Sequence, residues 1–269
     1  MSKREDYVKQ LQPLLTNSGS YRALEQKIIA DSNLPGPRGN LELSYAFGDC
    51  FEGVDVSNEQ WALLSSWTSI PASEASTNDP KVFLPVCALQ ALGAIYQKAD
   101  IARKERIINI LKVAANDERW RVREAVAMSF QRVGEKDSRI IESIFKDWIE
   151  QASLAEKRAI IASLAHPPIL TDKDFVLFCL QMVEDILSSF QALEPKERKT
   201  EDFTVLKKGL DYSISVFVAA LPEEGFIFLK EWAKAADPAI KKIIKSNLGK
   251  SRLTKKYSDQ VNEILALLE

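Results

Sequence analysis

The chain offers one imidazole and three thiols with which to do chemistry. His166 would have to anchor any Ser/His/Asp or Cys/His arrangement, because a serine or cysteine nucleophile needs an adjacent base to activate it. Its setting is instead that of a helix stop. It ends the apolar run Ile160, Ile161 and Leu164 and precedes Pro167 and Pro168, so its imidazole suits the last free carbonyls of a helix. Cys50, Cys87 and Cys179 are far apart and lie in apolar surroundings, and no CxxC pair brings two ligands to one loop. They read as buried reduced thiols rather than a disulfide framework or a zinc site. No Walker loop, GxGxxG, GxSxG or HExxH occurs, and Glu118 and Glu124 belong to a charged helix rather than to a catalytic carboxylate pair. The expectation is a protein that is not an enzyme and uses no cofactor and no metal.

The elements that carry these residues read as helices. Glycine and proline number 10 and 11 among 269 residues, too few for a turn-dense β chain. Apolar residues recur at helical spacing from Tyr7, Leu11 and Leu14 onward, and no alternating strand pattern interrupts them. The segment LPGPRGN, residues 34–40, breaks the first helices, and a new helix is expected near Leu41. Ser57 caps a short helix that ends near Trp67, with Glu59 in its first turn. The stretch SIPASEASTNDP, residues 69–80, is the most loop-like of the chain. It divides an acidic N-terminal helical extension, residues 1–80, from a repeat domain, residues 81–269. In the latter, short amphipathic helices joined by tight turns must form antiparallel pairs.

A self-match supports a repeat. Ala114-Ala115-Asn116-Asp117 leads into WRVREAVAMSF, and Ala235-Ala236-Asp237 leads into PAIKKIIKSNL, which sets Arg123 opposite Lys241 at a spacing of three repeats of about 39 residues. Residues 114–137 resemble a HEAT repeat: a turn aspartate, a basic residue six positions later, then small and apolar positions ending in glycine. The resemblance implies an all-α, right-handed α-solenoid of antiparallel helix pairs, HEAT-like and armadillo-type. It also implies structural, inter-repeat roles for Asp117, Arg123 and Asp237, with Lys241 or Lys242 as the cation for Asp237. Trp120, Arg123 and the helix after them, and more loosely residues 240–261, are similar to DNA alkylation repeat glycosylases, which hold DNA on a basic face. The aspartate in an aromatic-rich helix that carries that family's chemistry has no counterpart here.

Charge is uneven although the formal net charge is only −2. Between Arg38 and Lys81 there are seven carboxylates and no cation, whereas Lys230–Lys256 carries nine cations against Glu231 and Asp237. The densest part is Lys241, Lys242, Lys245, Lys250, Arg252, Lys255 and Lys256, and a second cluster surrounds Arg119 and Arg121. These residues are the candidate contacts for an anionic partner, with Trp120 between the two arginines as the tryptophan most expected at the surface. The function expected is a scaffold or adaptor that binds another protein on a concave face. The alternative is a nucleic-acid-binding relative of the alkylation repeat proteins. No export signal or uncharged apolar stretch of spanning length occurs, Phe203–Leu221 being the nearest to one, so a cytoplasmic protein with no membrane partner is expected.

Overall fold

A computed structural model describes residues 2–268. All regular structure among them is helical. The chain forms two compact units, residues 1–136 and 137–269.

The first unit contains α1 (Lys3–Leu15), α2 (Tyr21–Ala30), α3 (Leu41–Asp49), α4 (Asn58–Thr68), α5 (Phe83–Ile95), α6 (Ile101–Ala115) and α7 (Trp120–Lys136). Their starts follow the local sequence. Ser2 with Glu5 and Ser57 with Gln60 form capping boxes, while Asn40 and Asp100 accept the orphan amides of α3 and α6. α5, FLPVCALQALGAI, is apolar all round and buried on nearly every side. It packs against α3 and α7, and α3 packs in turn against α1. α2 and α4 also cover α5, while α6 lies against both α5 and α7. α5 and α7 pack tightly at Gly93, where a Cβ would sit 2.5 Å from the Ser129 carbonyl oxygen.

Side-chain hydrogen bonds between these elements recur at similar separations. Gln60 reaches the Leu15 carbonyl and Trp67 reaches Glu25, 45 and 42 residues apart. Arg121 reaches the Thr77 carbonyl and Arg132 reaches Gln90, at 44 and 42 residues. These four links span 42 to 45 residues, slightly more than the expected repeat of 39.

The second unit contains α8 (Ser138–Ile149), α9 (Leu154–Leu164), α10 (Lys173–Ser189), α11 (Glu201–Ala220), α12 (Pro222–Trp232), α13 (Pro238–Leu248), the single turn α14 (Ser251–Thr254) and α15 (Ser258–Leu265). α11 packs against α9 and α13, while α10 packs against α8 and α12. Lys173–Ala192 is the one described helix long and apolar enough to cross a membrane, rather than Phe203–Leu221. More than half of its apolar window, 56%, is buried in the protein, and Phe175, Cys179, Met182 and Ile186 face the interior.

The loop 69–80 does not separate the compact units. Composition alone makes it linker-like, yet Ala75 is fully buried, and the Arg119 and Arg121 side chains hold the carbonyls of Ala75 and Thr77. Residues 1–80 thus share their core with α5–α7, and the division into units falls at 136/137.

Candidate functional site

The turn between α6 and α7 and the first residues of α7 hold five of the expected site residues: Asp117, Arg119, Trp120, Arg121 and Arg123. Asp117 Oδ1 accepts the backbone N–H of Arg119 at 2.8 Å, closing the turn before α7. The Arg119 side chain folds back onto the same carboxylate, with Nε 2.8 Å from Oδ1 and Nη2 2.6 Å from Oδ2, and Nη1 donates to the Ala75 carbonyl. Arg123 donates from Nη1 to the carbonyls of Asp117 and Glu118, at 2.7 and 3.1 Å. Arg121 Nη2 donates to the Gly36 carbonyl at 2.6 Å.

The expectation that Arg119 and Arg121 face an anionic partner is therefore corrected. Their exposures are 3% and 6%. A guanidinium presents several N–H donors in one plane and saturates loop carbonyls, and that is the use made of both here. Trp120 differs from its neighbours, being 46% exposed with the Arg121 guanidinium 4.3 Å from its ring centroid.

Trp120 stands at the edge of a cleft of about 960 Å³ formed within the first unit by α1, α2, the 31–40 segment, α3, α5 and α7. Phe83, Val86 and Met128 give it an apolar lining, and the half-exposed Leu41 adds to this surface. Lys3 and Arg38 also line the cleft; both are exposed and neither forms an ion pair among the described residues. Tyr7 is fixed by the Asn40 amide, which donates to its hydroxyl at 2.9 Å, and Lys27 approaches its ring while pairing with Asp31. Apolar lining with a few oriented polar groups is the usual make-up of a binding cleft. The sequence pointed to Trp120 alone; Tyr7, Leu41, Phe83 and Met128 lie too far apart in the chain to be grouped without the fold.

The C-terminal cluster lies on α13, α14 and the turns beside them. The buried face of α13 is Ile240, Ile243, Ile244, Asn247 and Leu248, which turns Lys241, Lys242 and Lys245 outward. Among the described residues none of Lys241, Lys242, Lys245, Lys250, Arg252, Lys255 or Lys256 forms an ion pair. Asp237 caps α13 by accepting the Ala239 amide, and its cation is Arg198, at 2.6 Å, rather than Lys241 or Lys242. Burial opposes charge on Asp237, but the hydrogen bonds from Arg198 and Ala239 outweigh it and hold the carboxyl below its ordinary value.

The remaining reactive groups are structural in setting. All three thiols are buried; burial, with a smaller contribution from Asp49, pushes Cys50 up to about 12, and burial raises Cys87 and Cys179 well above the ordinary thiol value. Asp49 accepts from Arg4 and Arg132, and these bonds overcome its burial and lower its pKa. His166 occupies the N-cap position of a single 3-10 turn, Pro167–Ile169, without a capping bond from its side chain. No protein-family model matches the chain. No curated protein matches it either.

Proposed function

We propose that each unit is a short right-handed α-solenoid of antiparallel helix pairs, HEAT-like and armadillo-type, and that the chain is a non-catalytic cytoplasmic scaffold for another protein. Helices that pack on the next but one, and side-chain links that recur about every 42 to 45 residues in the first unit, support the repeat reading. Asp117, Arg123 and Asp237 act within it as turn and cap residues.

The observation that carries the scaffold reading is the half-exposed Trp120 beside a cleft lined by Phe83, Val86 and Met128. A large aromatic ring next to a pocket is how protein interfaces present their anchor residues, and Lys3 and Arg38 with Asp6, Glu42 and Glu124 supply a charged rim of mixed sign. The partner suited to it is a protein segment with one bulky apolar side chain flanked by charged residues. Nucleic acid, the other reading, is supported by a different surface, the lysines of α13 and of the turns flanking α14.

The test is affinity capture from nuclease-treated lysate with the parent chain and with Trp120→Ala. The reading expects a discrete set of proteins captured by the parent and lost with Trp120→Ala at unchanged melting temperature. Identical capture by both chains would contradict it.

A further inference from the structure

The second unit carries a surface whose chemistry differs from that of the cleft. Several cations of this unit are paired: Lys146 with Glu142, Lys173 with Glu224, Lys207 with Asp211, Lys230 with Glu263 and Arg198 with Asp237. Along α13, α14 and the turns beside them no pair forms among the described residues, and seven cations fall within sixteen positions with no acidic residue among them. Like charges at this density repel one another unless an anion or solvent screens them. Such a surface is suited to a row of anions.

An aromatic platform stands beside the cations. Tyr212 on α11 is 49% exposed, and the Arg252 guanidinium lies over its ring, 4.4 Å from the centroid. Lys208, exposed and without an ion pair, lies one turn before Tyr212 on the same helix. The platform is held rigidly to the lysine helix. Asn247 of α13 is fully buried and donates to the Leu210 carbonyl while accepting the Ser215 amide, both at 2.8 Å, and the Ser246 hydroxyl donates to the Asp211 carbonyl at 3.1 Å. These bonds bracket Tyr212 on both sides and tie the α11 backbone at Tyr212 to the helix that carries Lys241, Lys242 and Lys245. Asp211 and Asp237, the nearest carboxylates on these two helices, are already neutralised by Lys207 and Arg198.

From this juxtaposition we propose that the α11–α13–α14 surface binds single-stranded nucleic acid, with phosphates on the lysines of α13 and of the turns flanking α14 and a base stacked on the Tyr212–Arg252 pair. Backbone-tracking cations next to an exposed ring are the elements of sequence-tolerant single-strand binding. A duplex keeps its bases stacked inside and would use the cations alone. No bond is made or broken. The proposal does not depend on the cleft beside Trp120, so either stands if the other fails.

The experiment titrates the full chain with labelled oligo(dT), with a duplex and with phosphatidylserine vesicles at several salt concentrations. If five phosphates are neutralised, the log–log salt slope on oligo(dT) is about −3.5, a loss of roughly 130-fold between about 50 and 200 mM salt. Tyr212→Ala should weaken oligo(dT) binding on the order of tenfold and leave the duplex unaffected, with Tyr212→Phe restoring the parent affinity. Lys242→Ala and Lys245→Ala should each reduce the slope by about 0.7. All three side chains are at the surface, and a circular dichroism spectrum matching that of the parent confirms folding of each variant. No oligo(dT) binding at low salt, binding of vesicles without nucleic acid, or parent-like affinity in Tyr212→Ala would each overturn the proposal.

Discussion

Arg198 and Asp237 lie 39 residues apart in sequence and meet at 2.6 Å, so the aspartate that caps α13 is also tied to the segment preceding α11. Asp237→Ala removes both the cap and the pair, and should cost about 2 kcal/mol because the ion pair is partly solvated. Arg198→Ala removes the pair alone and should cost about 1 kcal/mol. Urea denaturation checks both values, and amide exchange should accelerate in the first turn of α13 only for Asp237→Ala.

The Asp117–Arg119 pair is predicted to matter more, because Arg119 is 3% exposed and its carboxylate partner is only two residues away. Sequence alone suggests the loss of a single turn or cap hydrogen bond, on the order of 1 kcal/mol. With the arginine buried, Asp117→Ala leaves an uncompensated charge in the interior, and the cost rises to about 3 kcal/mol. Thermal or urea denaturation of Asp117→Ala, Arg119→Ala and the double variant should show strong coupling between the two positions.

Asp49 and Asp237 give the fold an acid-labile component. Both have folded-state pKa values below the unfolded value: burial opposes ionisation in each, and arginine hydrogen bonds prevail. A lowered carboxylate adds stability that is complete well above the unfolded pKa of about 3.9 and is lost as pH falls below that value through the folded one. Stability measured by urea midpoint should therefore decline below pH about 4, and Asp49→Asn should flatten that decline while lowering stability at neutral pH.

The thiols are predicted to be inert until the protein opens. Cys87 and Cys179 are fully buried, and Cys50, pushed up to about 12, carries almost no thiolate at neutral pH. Modification by an aromatic disulfide reagent should be slow in buffer and follow the unfolding transition in urea for all three. Rapid labelling of any one in buffer would contradict its placement.

Much of the helical framework was legible because it is written locally: Asn40 before α3, Ser57 with Gln60 at α4, and Asp237 at α13 are each cap signals within one turn of the helix they start. The loop 69–80 was read as a boundary because it contains few large apolar residues, and the guanidinium groups that bind it come from more than forty positions away. Both basic clusters looked alike as charge. Their composition distinguishes them: Arg119, Arg121, Arg123 and Arg132 are arginines and are buried, whereas six of the seven cations from Lys241 to Lys256 are lysines, which form no ion pair among the described residues. Guanidinium is the more weakly hydrated group and fits backbone carbonyls in a plane, so residue type was the available signal. The cleft beside Trp120 could not be read from sequence, since Tyr7, Leu41, Phe83 and Met128 are brought together only by helix packing.

Site-specific photo-crosslinking tests the scaffold reading most directly. A photoreactive amino acid is placed at Leu41, 54% exposed beside Trp120 in the cleft, and in a second chain at Ile101, 78% exposed but not among the residues lining that cleft. The account predicts nuclease-resistant protein adducts of discrete mass from position 41 that disappear with Trp120→Ala, and none from position 101. Equal adducts from both positions, or none from position 41, would contradict it.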